Sequence, residues 1–237
     1  MIAVISYPPI GPIHLGPIHL SVHGLFIALG ILAGAWMASQ YLARAGGDVE
    51  KYQAVLSWAL VGAVIGARFL TAPAALLDGA GWSALNPLSG NFSILGGFTG
   101  GILVGLWRFR ATGMPVLPTL DVSTYGLALG TVIGRLGCLA IVEHLGRATS
   151  LPWGYGVKAG YNVAPAHNSL ECTVAQAGAE GLCGVYQPVA AYDLIGAAIL
   201  LVALVVWARR VPMRDGQLFA LWMAWYGLWR SRRHGMR

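Results

Sequence analysis

Charge is what this sequence has least of. Of 237 residues, 10% are Asp, Glu, Lys or Arg, against 57% hydrophobic. Soluble domains carry about 25% charged residues, so a water-facing globular protein is excluded and the chain reads as an integral membrane protein. Acidic residues are the scarcer sign, 9 against 15 Lys and Arg, giving a formal net charge of +6. In a soluble protein that excess would raise nucleic acid as a partner. In a membrane protein the cations are first sorted by side, and no nucleic-acid partner is expected. Cysteine is also scarce, at 3. No Cys/His spacing resembles a zinc motif, so no metal and no cofactor is expected. There is no internal repeat, and no charged region precedes a first apolar run as in a cleavable signal peptide. Glycine and proline are plentiful, 33 and 12, which fits membrane helices that pack closely and kink.

Six apolar runs divide the chain. Residues 1–19 contain S-Y-P-P-I-G-P-I-H-L-G-P-I-H, whose prolines forbid a regular helix, and read as a surface-lying segment. Spans are predicted over Leu20–Leu42, Tyr52–Ala72, from Ser93 to Trp107, from Pro118 into the stretch Gly134–Arg147, over Val189–Ala208 and over Gln217–Trp229. The last, at about 13 residues, is short for an upright crossing. Residues 73–92 form a Pro/Gly/Asn loop with a short interfacial helix. Residues 143–188 are too polar and broken to span, and form an extramembrane head. The predicted fold is all-α: a polytopic helical membrane bundle of about six spans. It is a single membrane domain over residues 1–237, with the head at 143–188 inserted.

Short-loop cations set the orientation. Arg44, Lys51, Arg108, Arg110, Arg209, Arg210 and Arg214 fall on one side, Arg147 and Lys158 on the other. The first set is therefore cytoplasmic, and the N-terminus and head lie outside. Spans two, four and six then run outward, each with an arginine at its outer end: Arg68, Arg135 and Arg230. His23, Tyr226 and the glycine-rich start of span three fall at the same level. A single such arginine is equally well read as snorkelling to the interface. Three at one depth point to a cationic pocket at the outer headgroup level, suited to a phosphate that takes bidentate hydrogen bonds. The inner halves hold no ionisable group except Asp121 at an entrance, which argues against a transport path. Cys172 and Cys183 both lie in the outside head, where a disulfide closing a loop of about ten residues is expected and two free thiols are the alternative. Cys138, among apolar neighbours, reads as packing.

The stretch G-R-L-G-C-L-A-I-V-E-H-L-G-R at 134–147 is preceded by I-G-P-I-H-L-G-P-I-H-L-S-V-H-G-L, G-A-R and L-G-G-F-T-G-G. It is followed by L-P-W-G, Y-Q-P-V-A-A-Y-D and Y-G-L-W-R. In this order these motifs resemble the bacterial prolipoprotein diacylglyceryl transferases, whose signature looks like G-R-I-G-N-F-I-N-G-E-L-W-G-R. Gly134, Arg135, Gly137, Glu143, Gly146 and Arg147 match it. The resemblance implies transfer of the diacylglyceryl group of phosphatidylglycerol to the lipobox cysteine thiol of a preprolipoprotein signal peptide. A thioether forms and glycerol 1-phosphate is released, in the bacterial inner membrane and without a cofactor. It implies that Arg135 and Arg230 hold the phosphate and that Glu143 orients a partner or the glycerol hydroxyls. Arg68, Thr99, Gly100, Arg147, Tyr192, Tyr226 and His23 are implied as substrate-binding residues.

Several positions depart from that pattern. Cys138 and Ile141 replace asparagines, Val142 a glycine and Thr99 a histidine. Gln187 and Asp193 replace the histidine and glutamate of H-P-x-Q-L-Y-E, and the chain stops shortly after Arg230, where the family adds a last span, so that it is either a divergent paralogue or a truncated sequence. Threonine is no base near neutral pH. The departures therefore leave a second reading, a catalytically silent phospholipid- or lipoprotein-binding paralogue on the same scaffold.

Overall fold

The computed structural model describes residues 5–16, 18–70, 72–77, 79, 93–161, 177–178 and 181–233. The apolar runs become helices: α1 (Val22–Arg44), α2 (Val49–Phe69), α3 (Ala72–Leu77), α4 (Ile94–Thr112), α5 (Val116–Ala140), α6 (Val189–Arg210) and α7 (Gln217–Arg233). Their ends follow local chemistry. Asp48 caps α2 by accepting from the Lys51 N–H at 3.0 Å, and Ser93 caps α4 by accepting from the Gly96 N–H at 3.1 Å. Each side chain satisfies an N–H that the first turn leaves without a helical partner. Gly113, at φ +66°, stops α4 in the left-handed conformation that glycine adopts without a Cβ penalty. α1, α2, α5 and α6 are long and apolar enough to cross a membrane, and their exposed faces carry residues such as Leu32, Trp36, Val64 and Val202. α4 (19 residues) and α7 (17 residues) stand outside that set of four.

The chain is mostly helical, but the all-α expectation needs correcting at two places. The head contains a three-stranded antiparallel sheet, with β3 (Leu145–Ala148), β4 (Tyr155–Lys158) and β5 (Leu182–Pro188) in the order β3–β5–β4. The proline-rich start contains a hairpin of β1 (Ile13–Leu15) and β2 (Ile18–Leu20). Strands of three to seven residues are too short to show an apolar period. Their β-branched and aromatic residues are stabilised by cross-strand partners, here Tyr155 opposite Tyr186.

Two compact units divide the chain, residues 1–38 with 123–237, and residues 39–122. In the second unit α2 and α4 meet glycine to glycine. A Cβ at Gly62, Gly66, Gly96 or Gly100 would strike the facing backbone. Lipid removes the hydrophobic drive for helix association, so close backbone approach and dispersion take its place. In the first unit α1 and α5 use the same device at Gly30 with Gly130 and Gly34 with Gly126, and a Cβ on Gly137 would strike Phe26.

The proline-rich start then straps the head to the end of α5. The Ile5 N–H donates to Gly154 O at 3.1 Å, and Ile5 O accepts from the Gly156 N–H at 2.9 Å. The Tyr7 hydroxyl donates to Leu139 O at 2.7 Å, and the Ile10 N–H to Ala140 O at 2.9 Å. The last carbonyls of α5, left without helical partners, are thus satisfied from outside the helix. Tyr155 donates in turn to Tyr7 O, and the two rings meet edge to face at 5.2 Å. Burial raises both phenols above their ordinary value, Tyr155 to about 12.

Candidate functional site

The site is built where α5 ends. Val142, at φ +54°, is left-handed. The Glu143 N–H returns to Cys138 O at 2.9 Å and the Val142 N–H to Leu139 O at 3.1 Å. These crossed bonds form a Schellman C-cap. On a continuing helix, positions five apart point about 140° away from each other. The cap instead folds Glu143 back beside Cys138. His144, at φ +63°, continues the reversal, and the first turn of α1 supplies His23.

A cluster of polar side chains results. His23 Nδ1 lies 3.8 Å from Cys138 Sγ and 3.7 Å from Glu143 Oε2, while His144 Nδ1 lies 3.6 Å from the same carboxylate oxygen. Arg135 approaches the thiol with Nη1 at 3.8 Å. Its Nε lies 3.5 Å from Asp193 Oδ2, with side chains 19% and 4% exposed. Desolvating this ion pair is costly, and removing either partner would strand the other charge. Glu143 Oε2 is buried and accepts no hydrogen bond among the described residues.

Two cavities adjoin this helix end. A slot of about 20 Å³ between α5, α6 and α7 is lined by Thr131, Arg135, Asp193, Trp222, Trp225 and Tyr226, with Trp222 stacked on Tyr226 at 5.6 Å. It has room for about one water. A cleft of about 410 Å³ is lined by Pro8, Ile10, Pro12, Val22, Ile141 and Tyr161, among others. The chemistry on offer is a guanidinium held by one carboxylate in an indole-walled slot. Next to it stand a thiol, an imidazole and a second carboxylate.

The structure therefore gathers Arg135 with Tyr226, and His23 with Glu143, around one helix end. Tyr192 stands in the first turn of α6 and accepts from Trp153 Nε1 at 2.9 Å. Arg147 is exposed on β3. Arg68, Thr99 and Gly100 belong to the other unit. Arg68 is 8% exposed, buried in its unit. Exposed Thr99 donates to Leu95 O at 2.9 Å, and Gly100 packs on Gly62. Arg230 is in α7, but its side chain lies outside the described residues. Cys183, on β5, is disulfide-bonded, and Cys172 lies outside the described residues. Two participants, named in the sequence only as departures from the family pattern, were not counted among its site residues. Asp193 was legible as a carboxylate in the first turn of an apolar helix, where ionisable groups usually serve a purpose. Cys138 stood out only as a cysteine in place of a signature asparagine, and among apolar neighbours it was read as packing.

The family profile for prolipoprotein diacylglyceryl transferase matches residues 11–237. The phosphatidylglycerol–prolipoprotein diacylglyceryl transferase of Thermus thermophilus is 32% identical over 227 residues, covering 92% of this chain and 80% of that protein. The protein of the same name from Leifsonia xyli is 30% identical over 250 residues, covering 98% and 71%. That from Paenarthrobacter aurescens is 26% identical over 227 residues, covering 94% and 70%.

Proposed function

The chain belongs to the prolipoprotein diacylglyceryl transferase family, and on that premise we propose that it moves the diacylglyceryl group of phosphatidylglycerol onto the lipobox cysteine of a preprolipoprotein. The thiol sulfur attacks the glyceryl carbon that bears the phosphate. The C–S bond forms as the C–O bond breaks, the thiol proton passes to solvent, and glycerol 1-phosphate leaves with the electron pair. Negative charge grows on the leaving phosphate, so a fixed guanidinium stabilises the transition state more than the ground state. Arg135 fills that role, with Arg230 as second cation and Tyr226 flanking the headgroup. Glu143 orients the glycerol hydroxyls. The phosphate enters by widening the slot and taking over from Asp193 as partner of Arg135. The cleft of about 410 Å³ at the same helix end, walled by prolines and aliphatics, is of a size that suits an apolar peptide segment.

On this reading the reaction runs at the outer leaflet of the bacterial inner membrane, with the N-terminus and head outside and α4 and α7 completing six spans, and the sorting of loop cations supports it. The observation that carries the reading is Arg135. It stands on the matched signature turn, held by Asp193 and facing the slot that Tyr226 lines.

Complementation of a bacterial strain depleted of its own transferase tests it. Lipoproteins recovered from that strain should carry the mass of one diacylglyceryl group. If the protein inserts at normal levels and the lipoproteins stay unmodified, the chain is a silent lipid-binding member of the family.

A further inference from the structure

Three ligand atoms of different chemistry converge beside Arg135. His23 Nδ1, Cys138 Sγ and Glu143 Oε2 all lie within 4.8 Å of one another. The imidazole stands 3.8 Å from the sulfur and 3.7 Å from the carboxylate oxygen. A tetrahedral zinc site, with its usual bond lengths to sulfur, nitrogen and oxygen, spaces its ligand atoms roughly 3.3–3.6 Å apart. The two separations from the imidazole exceed that by a few tenths of an ångström, and the sulfur and carboxylate oxygen lie within 4.8 Å of each other, so side-chain rotation has to draw the three atoms together around the ion. Neither imidazole contact is a hydrogen bond of useful strength, and buried Glu143 Oε2 accepts none among the described residues. An ion at the centre would satisfy all three atoms.

We propose that His23, Cys138 and Glu143, the last through Oε2 with its other oxygen left for the glycerol hydroxyls, bind a zinc-class divalent cation, whose open fourth position takes the thiol of the protein substrate. This rests on the transferase reading and supplies what that reading lacks, a means of making thiolate. Charge supports the choice of ion. One thiolate, one carboxylate and a neutral imidazole balance a dication. A thiolate–imidazole–carboxylate set suits zinc rather than magnesium or calcium, which prefer oxygen alone. Three protein ligands with one vacant position is the arrangement of reactive rather than structural zinc. A thiol that enters that position loses its proton to solvent. The bound sulfur then attacks the glyceryl carbon, the C–O bond to phosphate breaks, and the neutral thioether leaves the metal. Arg135 sits at the join of the two halves of the reaction. Its Nη1 approaches Cys138 Sγ at 3.8 Å, the position of an outer group steadying a ligating sulfur, while its Nε side faces the slot proposed for phosphate.

Cobalt(II) reports on such a site by absorption, because thiolate ligation adds a charge-transfer band in the near ultraviolet. Full-length protein in nanodiscs, stripped with chelator, should bind one equivalent of Co²⁺ with that band and with the strong visible bands of a tetrahedral ion. Zn²⁺ should displace it. Cys138→Ser, close to isosteric, should lose the charge-transfer band, and His23→Ala should weaken Co²⁺ binding by about tenfold or more. A lipobox peptide should raise the band further, and the same peptide with serine for cysteine should not. Wild-type protein without the band, a band that survives in Cys138→Ser, or no response to the peptide overturns the proposal. These spectra need neither phosphatidylglycerol nor turnover. Intact spectra with no transfer would sink the transferase reading alone. Transfer at full rate in chelator-stripped protein would sink the zinc alone.

Discussion

Val142 occupies a backbone conformation that β-branched residues almost never adopt, at φ +54°, and it does so at the glycine position of the signature. Left-handed geometry costs an L-residue about 1–2 kcal/mol. Its side chain is 3% exposed, packed with Tyr155 and Val157 in the head core, and such burial contributes about 1.5–3 kcal/mol. Burial outweighs the strain, so Val142→Gly is expected to destabilise the protein modestly. Val142→Ala gives up most of the packing and keeps the strain, so it should unfold at a lower temperature than Val142→Gly. This reverses the usual ranking of alanine over glycine. Thermal unfolding in detergent checks the order, and alanine proving the milder change would show that the left-handed cap does not hold. Arg135 allows a sharper separation of roles. An interface anchor needs only charge, whereas a phosphate grip needs the planar fork. Arg135→Lys should insert and fold but lose roughly one to two orders of magnitude in phosphatidylglycerol affinity, the effect of about 1.5–3 kcal/mol for a charge-assisted hydrogen bond. Binding in nanodiscs with and without that lipid reads it. Parent-like affinity would reduce Arg135 to an anchor. Arg135 was legible in the sequence because an ionisable group at a helix end in an apolar chain stands out. The Cys138–His23 pair was not, because its members are 115 positions apart and are joined by a helix cap and a glycine-notched helix contact that no local spacing records.

Helix packing in this chain is written in glycine, and the notches can be told apart one by one. Gly100 and Gly97 lie on the same helix, yet a Cβ at Gly100 would strike Gly62 O, whereas at Gly97 it would meet Ala63 O and Ala67 Cβ at an ordinary 3.5 Å. Gly97→Ala should therefore be tolerated, with helix propensity favouring alanine by up to about 1 kcal/mol. Gly100→Ala must push α4 off α2 and should lower the unfolding temperature. Equal behaviour of the two variants would mean that α2 and α4 do not meet through these glycines. The helices themselves were legible from their apolar runs, and observed ends such as Val189 and Gln217 match the expected starts. The head sheet was not legible. β3 and β4 have four residues each, and their pairing with β5 depends on contacts distant in sequence. The clustered glycines of α4 were read both as a packing face and as part of a lipid site; the geometry at Gly96 and Gly100 is that of a packing face.

At the scale of the whole molecule, cation placement bears on which side of the membrane the site faces. Arg44, Arg110, Arg209 and Arg210 stand in the last turns of α1, α4 and α6. The helix dipole alone would favour cations there by about 0.3–1 kcal/mol each, so their position is not by itself evidence of topology. Lys51 and Arg214 distinguish the two explanations. Lys51 lies in the first turn of α2, and Arg214 just precedes α7, at helix starts where the dipole disfavours a cation. Both nevertheless fall in the cation-rich loops, which a cytoplasmic location would explain and the dipole does not. A reporter fused after Arg110 should accordingly read cytoplasmic, and one inserted near Lys158 should read external. The cysteines give an independent check. Disulfides persist outside the cytoplasm and are rare within it, and Cys183 is bonded. With Cys138 carrying a free thiol, Cys172 is the expected partner. Protein unfolded without reductant should then label at Cys138 alone, and at all three cysteines after reduction. Labelling of Cys172 and Cys183 before reduction, together with a cytoplasmic signal near Lys158, would turn the chain over and put Arg135 at the inner leaflet, where the proposed reaction could not reach an exported lipobox.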